Sequence, residues 1–509
     1  MSVTVASPTD RTELRRGPWA APQASSNNNG HAANGAAGVP PSMASRLSDG
    51  IDRFGVDWRG RSVGVVGMAR SGMAACELLR QVGARISISD RNQDAATQQV
   101  AERLRQSGVE HIELGHHSRG IFDDCDVLVV SPGVPESAAP IRWAIENGTP
   151  IISEVELAFR FCNAPIIAVT GTNGKSSVVT LIDKMLRARG KPSVACGNLG
   201  IPFCSVIPSL TPDTTVVLEI SSFQLVWCDQ FRPNVGVLLN LGSNHLDRHP
   251  DHESYVMAKA RLFDRQSPHD FAVLNSRDPA VSKLGERMRA QRVWFGAPEG
   301  AEAGPQAARF VIDAATHRAL PENMQAVLQV ARILDIPDPF SYQTIREFRG
   351  LEHRIEYVET IRGVRVINDS KSTTPESCLY ALTRCGGHIV LILGGKDKGM
   401  DFRILQPVLQ QERIRGIVLV GDARPALRGL FQGSLKVREA ETFDGAVRAA
   451  VAAAHAGDTV LFSPACASFD MFRNFEERGR VFKQLVRQLA HEAAGASSTI
   501  TPTEAAAGA

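Results

Sequence analysis

The chain has 509 residues, 43% hydrophobic and 22% charged, with 56 basic against 54 acidic side chains. That is a globular composition with chain enough for about three domains, and its charge balance excludes a basic nucleic-acid binder or a ligand of anionic membranes. No apolar run is long enough to span a bilayer, and Asp10, Arg11, Glu13, Arg15 and Arg16 stand where a signal peptide needs apolar residues. The nine cysteines form neither a CxxC pair nor a zinc spacing, so buried thiols in a cytoplasmic protein are expected.

Residues 1–50, rich in Ser, Asn, Ala, Pro and Gly, read as a disordered tail, as do residues 493–509. Between them short β-branched runs alternate with helical patterns. The runs predict strands at 61–66, 85–89, 127–130, 165–170, 215–220, 235–240, 271–275, 389–393, 416–420 and 459–463, with a further strand leading into Asn368. Helices are predicted between strands, for example at 176–187 and 324–334. Such alternation implies parallel sheets covered by helices, in three α/β domains at 51–153, 154–350 and 351–492.

In the first domain, residues 63–72 run from strand through a glycine turn into a helix, where backbone N–H groups can approach a phosphate. Ala69 stands in place of the middle glycine of a dinucleotide fingerprint, so a plain βαβ turn without a dinucleotide is the favoured reading. Asp90 ends the next strand and could bind a sugar hydroxyl. Ser131-Pro132-Gly133-Val134 adds a second turn on the same edge, and a crevice for a nucleotide-like ligand is expected there.

In the second domain, strand 165–170 runs into Gly171-Thr172-Asn173-Gly174-Lys175-Ser176-Ser177 and a helix. The loop N–H groups can cradle phosphates, Lys175 can neutralise them, and the Ser176 hydroxyl can reach Mg²⁺. Val169 replaces the first glycine of the strict Walker spacing. ATP binding is expected from the strand–loop–helix context. Glu219, at the end of the next strand, is either a Mg²⁺ ligand or an ordinary strand-end carboxylate. Asn244-His245-Leu246-Asp247-Arg248-His249 places a His/Asp cluster at the same edge, and Lys259 lies in a helical stretch at 255–263.

The third domain opens at Gly350-Leu351-Glu352-His353-Arg354, where Arg354 could stabilise a transferring phosphoryl group or form a surface ion pair. Asn368-Asp369-Ser370-Lys371-Ser372-Thr373-Thr374 is too polar for a core and reads as a site or a solvated turn. Gly394-Gly395-Lys396-Asp397-Lys398-Gly399 is a second glycine-rich edge carrying cations. The longest distinctive motif spans 463–479. Its Cys466 reads as packing rather than nucleophile.

GTNGKSS, LEISSFQL, HLDRH and YVMAKARLF, in this order, resemble the Mur ligases, and the 463–479 motif SPACASFDMFRNFEERG resembles their D-glutamate-adding branch. The likeness covers roughly residues 60–490. It implies an N-terminal Rossmann-like UDP-binding domain, a central P-loop ATPase-type parallel sheet and a C-terminal Rossmann-like α/β domain. The implied activity is ATP-dependent addition of D-glutamate to UDP-N-acetylmuramoyl-L-alanine through an acyl phosphate, in peptidoglycan precursor synthesis. By the same match Gly171, Thr172, Asn173, Gly174, Lys175, Ser176 and Ser177 bind ATP, with Asn323, Arg354, Asp369 and Lys371. Ser71, Asp90, Ser131 and Asn198 serve the UDP-sugar, and Thr373, Lys398, Ser468 and Phe475 the glutamate. Ser176, Glu219, His245 and Lys259 hold two Mg²⁺, Lys259 as a carbamate, and Lys175, His245, Lys259 and Arg354 carry the catalysis. A monomer without nucleic-acid or membrane partners is implied. Asn244 departs from the Asp many members have, and 276–323 lacks the usual Gly-x-His-Asn motif, leaving His317 and Asn323. A nucleotide switch fits less well, since it needs no polar third domain, and Ala69 in place of the middle glycine argues against a dinucleotide oxidoreductase.

Overall fold

Runs of Val, Ile and Leu form the central strands of three sheets, buried on both faces as parallel strands under helices must be. The computed structural model describes residues 47–198, 200–242, 249–296, 321–348, 350–397, 400–431 and 437–498. His245, Asn244, His317 and Lys398 lie outside these, as does nearly all of the expected N-terminal tail.

The first sheet holds β1 (Ser62–Val66), β2 (Arg85–Asp90), β3 (His111–Leu114), β4 (Val127–Val130) and β5 (Ile151–Ser153), in the order β3-β2-β1-β4-β5. The second holds β6 (Ile166–Thr170), β7 (Ser193–Gly197), β8 (Thr215–Glu219), β9 (Val235–Leu238), β10 (Phe271–Asn275) and β11 (Gln291–Phe295), in the order β11-β10-β9-β6-β8-β7. Every pairing in both is parallel. The third holds β12 (Glu356–Ile361), β13 (Val364–Asn368), β14 (Ile389–Gly394), β15 (Ile414–Val420), β16 (Val437–Glu439) and β17 (Thr459–Phe462), in the order β12-β13-β17-β14-β15-β16. Here the expectation of parallel sheets meets an exception: β12 and β13 form an antiparallel hairpin through the Arg362-Gly363 turn, both residues at positive φ.

The sequence expectations found every inner strand and none of the outer ones. β3, β5, β7, β11, β12 and β16 are the six sheet edges. They are short or polar (HIEL, IIS, VRE among them) and less completely buried than their inner neighbours.

The chain divides into two compact units, Met1–Phe348 and Arg349–Ala509. Within the first, one apolar core runs continuously from the first sheet into the second. Its bridge is the helix Glu154–Phe161, in which every residue is buried. Arg160 on this helix pairs with Asp52 (3.3 Å) and Glu156 (3.2 Å), all nearly inaccessible. Glu156 also accepts backbone N–H groups of Asp229, Gln230 and Phe231 from beyond the second sheet's β8. A buried charge set of this kind is tolerated only when each oxygen is so satisfied. Leu47, within the expected N-terminal tail, is buried, and the last helix, Phe475–Ser498, runs past residue 492.

All nine cysteines are free and buried. Among the described residues no helix is long and apolar enough to cross a membrane.

Glu154 opens the bridging helix fully buried, and its Oε1 accepts the N–H of Cys204 at 2.6 Å. Burial pushes its carboxyl up to about 7, against the Cys204 and Phe203 N–H groups that pull it down. The folded chain therefore keeps a proton that the unfolded chain releases from about pH 5 upward, so Glu154 subtracts stability as pH rises toward 7, by roughly 3 kcal/mol in all. Glu154→Gln should flatten this part of the pH profile, measured as urea-unfolding free energies on either side of the interval.

Candidate functional site

β6 is one of the two central strands of the second sheet, between β9 and β8, and its carboxyl end delivers the phosphate-type loop. Gly171 (φ 148°) and Gly174 (φ 89°) make the turn possible. Gly174 is the N-cap of the helix Lys175–Ala188 and has no side chain to satisfy the first N–H groups. The positive end of this 14-residue helix is where an anion is favoured. Lys175 curls over the loop, its Nζ donating to the carbonyls of Gly171 (2.9 Å) and Thr172 (3.0 Å).

Neighbouring strand ends brace the loop. Asn240, after β9, accepts the N–H of Asn173 (2.8 Å) and donates to its carbonyl (3.1 Å), while its own carbonyl accepts the N–H of Thr172. The Thr172 hydroxyl accepts from Gly242 N (2.8 Å) and shares a 2.7 Å hydrogen bond with Tyr255. Asn323, first turn of the helix Glu322–Ile333, packs on Gly174 so closely that a Cβ there would collide with its amide. That helix is anchored by Asn275, which donates to Leu239 O (2.9 Å) and Glu322 (3.2 Å), and by Gln325, which accepts from Gly296 N.

Lys259 is not the surface lysine that its helical position alone suggests. It is 2% exposed, and its Nζ donates to Gly171 O at 3.1 Å and to Thr170 Oγ1 at 3.4 Å. It sits 4.7 Å from the Tyr255 ring centroid, one helical turn earlier. Burial, and then the nearby Lys175 charge, hold its amine well below the ordinary lysine range, with Glu219 opposing. A lysine so placed carries a nucleophilic neutral amine far more of the time than a solvated one.

Glu219, at the end of β8, is also buried. Its Oε1 accepts from Asn198 Nδ2 (2.7 Å), and its carbonyl accepts the Asn198 N–H (2.8 Å). Gly197 makes this approach possible, because a Cβ there would run into the Glu219 carbonyl. Oε2 is buried and has no hydrogen-bond partner among the described residues. A buried orphan carboxylate oxygen beside a phosphate loop and a low-pKa amine suits a hard cation. His249 donates to or accepts from Ser222 Oγ (3.0 Å) and stacks on Phe223.

At the carboxyl edge of the first sheet, Ser131 Oγ donates to Gly67 O (3.2 Å), and Asp90 accepts the N–H groups of Met68 (2.7 Å) and Asn92 (2.8 Å). Asp90 thus shapes the glycine turn itself. Ser71 lies in the first turn of the helix Arg70–Gln81, whose N-cap Ala69 offers no side-chain cap. Ser71, Asp90 and Ser131 share this edge.

In the second unit, Arg354 lies between two residues in the left-handed region, His353 (φ 63°) and Ile355 (φ 47°). For a β-branched residue that is a real strain. It aims Arg354 at Asp369 (3.7 Å) and the Tyr380 ring (5.3 Å). Asp369 also accepts from Ser463 Oγ (2.8 Å) and Ile355 N (3.1 Å). Burial nonetheless pushes its carboxyl up to about 6, against Arg354. Lys371 N donates to His353 O, and Thr374 caps the helix Pro375–Arg384 with Thr373 just before it. Ser468 is buried and Phe475 half-buried. Burial pushes the Cys466 thiol up to about 12, so it is no thiolate nucleophile. The motif readings assigned no role to Asn240, Tyr255 or Arg478. Only Tyr255 had a sequence signal, its i−4 spacing to Lys259.

Family models match the chain in three places: the Mur ligase MurD-like N-terminal domain over 61–153, the Mur ligase middle domain over 169–315, and the Mur ligase glutamate ligase domain over 353–466. A UDP-N-acetylmuramoylalanine–D-glutamate ligase of Koribacter versatilis is 36% identical over 455 residues, covering 86% of this chain and 99% of the relative. One of the same name from Pelotomaculum thermopropionicum is 38% identical over 451 residues, covering 85% and 99%. Among solved structures, the MurF ligase of Thermotoga maritima in complex with ADP matches with a TM-score of 0.50 at 16% identity, over 86% of this chain and 96% of that one. At that identity it supports the fold alone.

The bracing of the loop is testable. Asn240→Ala removes two side-chain hydrogen bonds to Asn173 and should weaken ATP binding by about five- to thirtyfold, read by titration calorimetry, with the circular dichroism spectrum unchanged.

Proposed function

The chain belongs to the Mur ligase family, and we propose that it joins D-glutamate to UDP-N-acetylmuramoyl-L-alanine at the expense of ATP. The observation that carries this is the match to D-glutamate ligases along nearly their whole length, together with a phosphate loop flanked by a buried carboxylate and a buried amine.

A carboxylate and an amine do not condense in neutral water, so the acid must first be activated. The alanine carboxylate attacks the γ-phosphorus of ATP, ADP leaves, and an acyl phosphate results. The glutamate amine then attacks the acyl carbon, inorganic phosphate leaves, and the amide is formed. The loop N–H groups of Gly171–Ser177 and the Lys175 ammonium bind the phosphates, and Arg354 adds charge against the spreading phosphoryl oxygens. Asn323, Asp369 and Lys371 hold the rest of ATP. Ser71, Asp90, Ser131 and Asn198 receive the UDP-sugar, and Thr373, Lys398, Ser468 and Phe475 the glutamate.

Ser176, Glu219, His245 and Lys259 would hold two Mg²⁺ ions, which supply charge neutralisation and fix the phosphate geometry when bound. Lys259 can serve only once its charge is inverted. Its neutral amine adds to CO₂ and loses one proton, leaving a carbamate with two oxygens, and the depressed basicity of the buried amine favours that reaction. The scheme needs a single chain, and cytoplasm is where its nucleotide substrates are made.

Phosphate release from ATP, with UDP-N-acetylmuramoyl-L-alanine present, should require D-glutamate and give a product heavier by one glutamyl unit. Release with L-glutamate alone, or without any amine, would sink the assignment. Activity should fall in CO₂-depleted buffer and return with bicarbonate, and ¹³C-bicarbonate should give a carbamate NMR signal that Lys259→Ala lacks.

A further inference from the structure

Arg478 is 1% exposed, and among the described residues no carboxylate forms an ion pair with it. Its guanidinium is spent on two loops instead. Nη1 donates to the carbonyls of Cys466 (3.1 Å) and Ala467 (3.0 Å), and Nη2 to those of Cys466 (3.1 Å) and Ser370 (2.8 Å). Nε donates to Ser370 Oγ (3.1 Å), which itself donates to Phe475 O (2.8 Å). The loops follow β13 and β17, which are neighbours in the sheet. Burial draws the Arg478 pKa down to about 10, so it remains a cation at neutral pH.

An apolar side chain could fill this space without the cost of desolvating a charge. What the charge does is read from the peptide planes it grips. In a trans peptide the C=O of one residue and the N–H of the next point in opposite directions, and no cis peptide occurs among the described residues. Fastening the carbonyl of Ala467 to the guanidinium therefore turns the Ser468 N–H away from it, polarised by a buried positive charge, while Ala467 itself pairs antiparallel with Lys396, whose N–H reaches the same carbonyl (2.9 Å). Ala465, in the left-handed region (φ 56°), begins this turn. A backbone N–H presented in this way makes a charge-assisted hydrogen bond to an anion.

We infer that Arg478 is a positioning residue of the acceptor site, fixing the 463–468 loop against the 369–374 loop so that the Ser468 N–H faces a carboxylate of the incoming amino acid. This rests on the reading that a dicarboxylic amino acid binds at Ser468. Arg478 itself, sealed behind the loop, touches no substrate.

Steady-state kinetics on the full chain test it, after the parent enzyme has been checked for its need of D-glutamate. Absence of that need would count against the proposed function, not against Arg478. Arg478→Lys keeps the charge but cannot span both loops. It should raise the KM for D-glutamate by about tenfold or more, while the KM for the UDP-sugar stays within about twofold. A mere strut would lower the yield of folded enzyme and leave the glutamate KM of the remainder unchanged. That result, or an equal rise in the UDP-sugar KM, overturns the inference. If Arg478→Lys does not fold, Ser370→Ala, which deletes only the hydroxyl partner of Nε, takes its place. It should raise the same KM by about threefold and leave that of the UDP-sugar alone. An unmoved glutamate KM in folded Ser370→Ala overturns the inference equally.

Discussion

An amine buried beneath a phosphate loop is the constraint from which the rest of the first unit follows. Lys259 can lie there only because the carbonyl of Gly171 and the hydroxyl of Thr170 receive it and the Tyr255 ring covers it. Its burial and the closeness of Lys175 strip it of much of its basicity. The same helix ties Tyr255 to Thr172, so the residue that shields the amine also fixes the loop. Loop geometry and amine chemistry are one packing arrangement, and neither could be altered alone.

The parallel sheets explain why these groups meet. Carboxyl ends of β6, β8 and β9 lie side by side, so the loop, Glu219 and Asn240 are neighbours despite their distance in sequence. The bridging helix Glu154–Phe161 merges the first sheet's core with the second's and seals charged groups inside it. Such burial has a cost, visible in the raised pKa of Glu154, and the cohesion of a shared apolar core must offset it.

In the second unit, strain and buried charge replace a phosphate loop. His353 and Ile355 accept unfavourable backbone conformations on either side of Arg354, and Gly479 leaves room for the His353 ring. Asn368 holds that ring (2.9 Å) and so stabilises the turn. Strain on both sides of one arginine is the pattern expected where a side chain must be aimed.

Sequence alone determined the inner strands, the phosphate loop and the family, because each is written locally. An inner parallel strand must be apolar on both faces, and a phosphate loop needs its glycines and lysine in fixed spacing. Edge strands carry no such demand, and all six went unseen, with the antiparallel turn of β12. The list of candidate residues was likewise legible from motifs, but not what holds them. Lys259 reads as an exposed helical lysine, Glu219 as a strand-end acid, and Arg478 as a charge in a polar motif. Tertiary structure decided that all three are buried, that Asn198 occupies one oxygen of Glu219 while the other has no partner among the described residues, and that Arg478 grips two loops. The reason is physical. Burial and pairing are set by partners far along the chain, and a side chain's own neighbours in sequence cannot specify its dielectric surroundings.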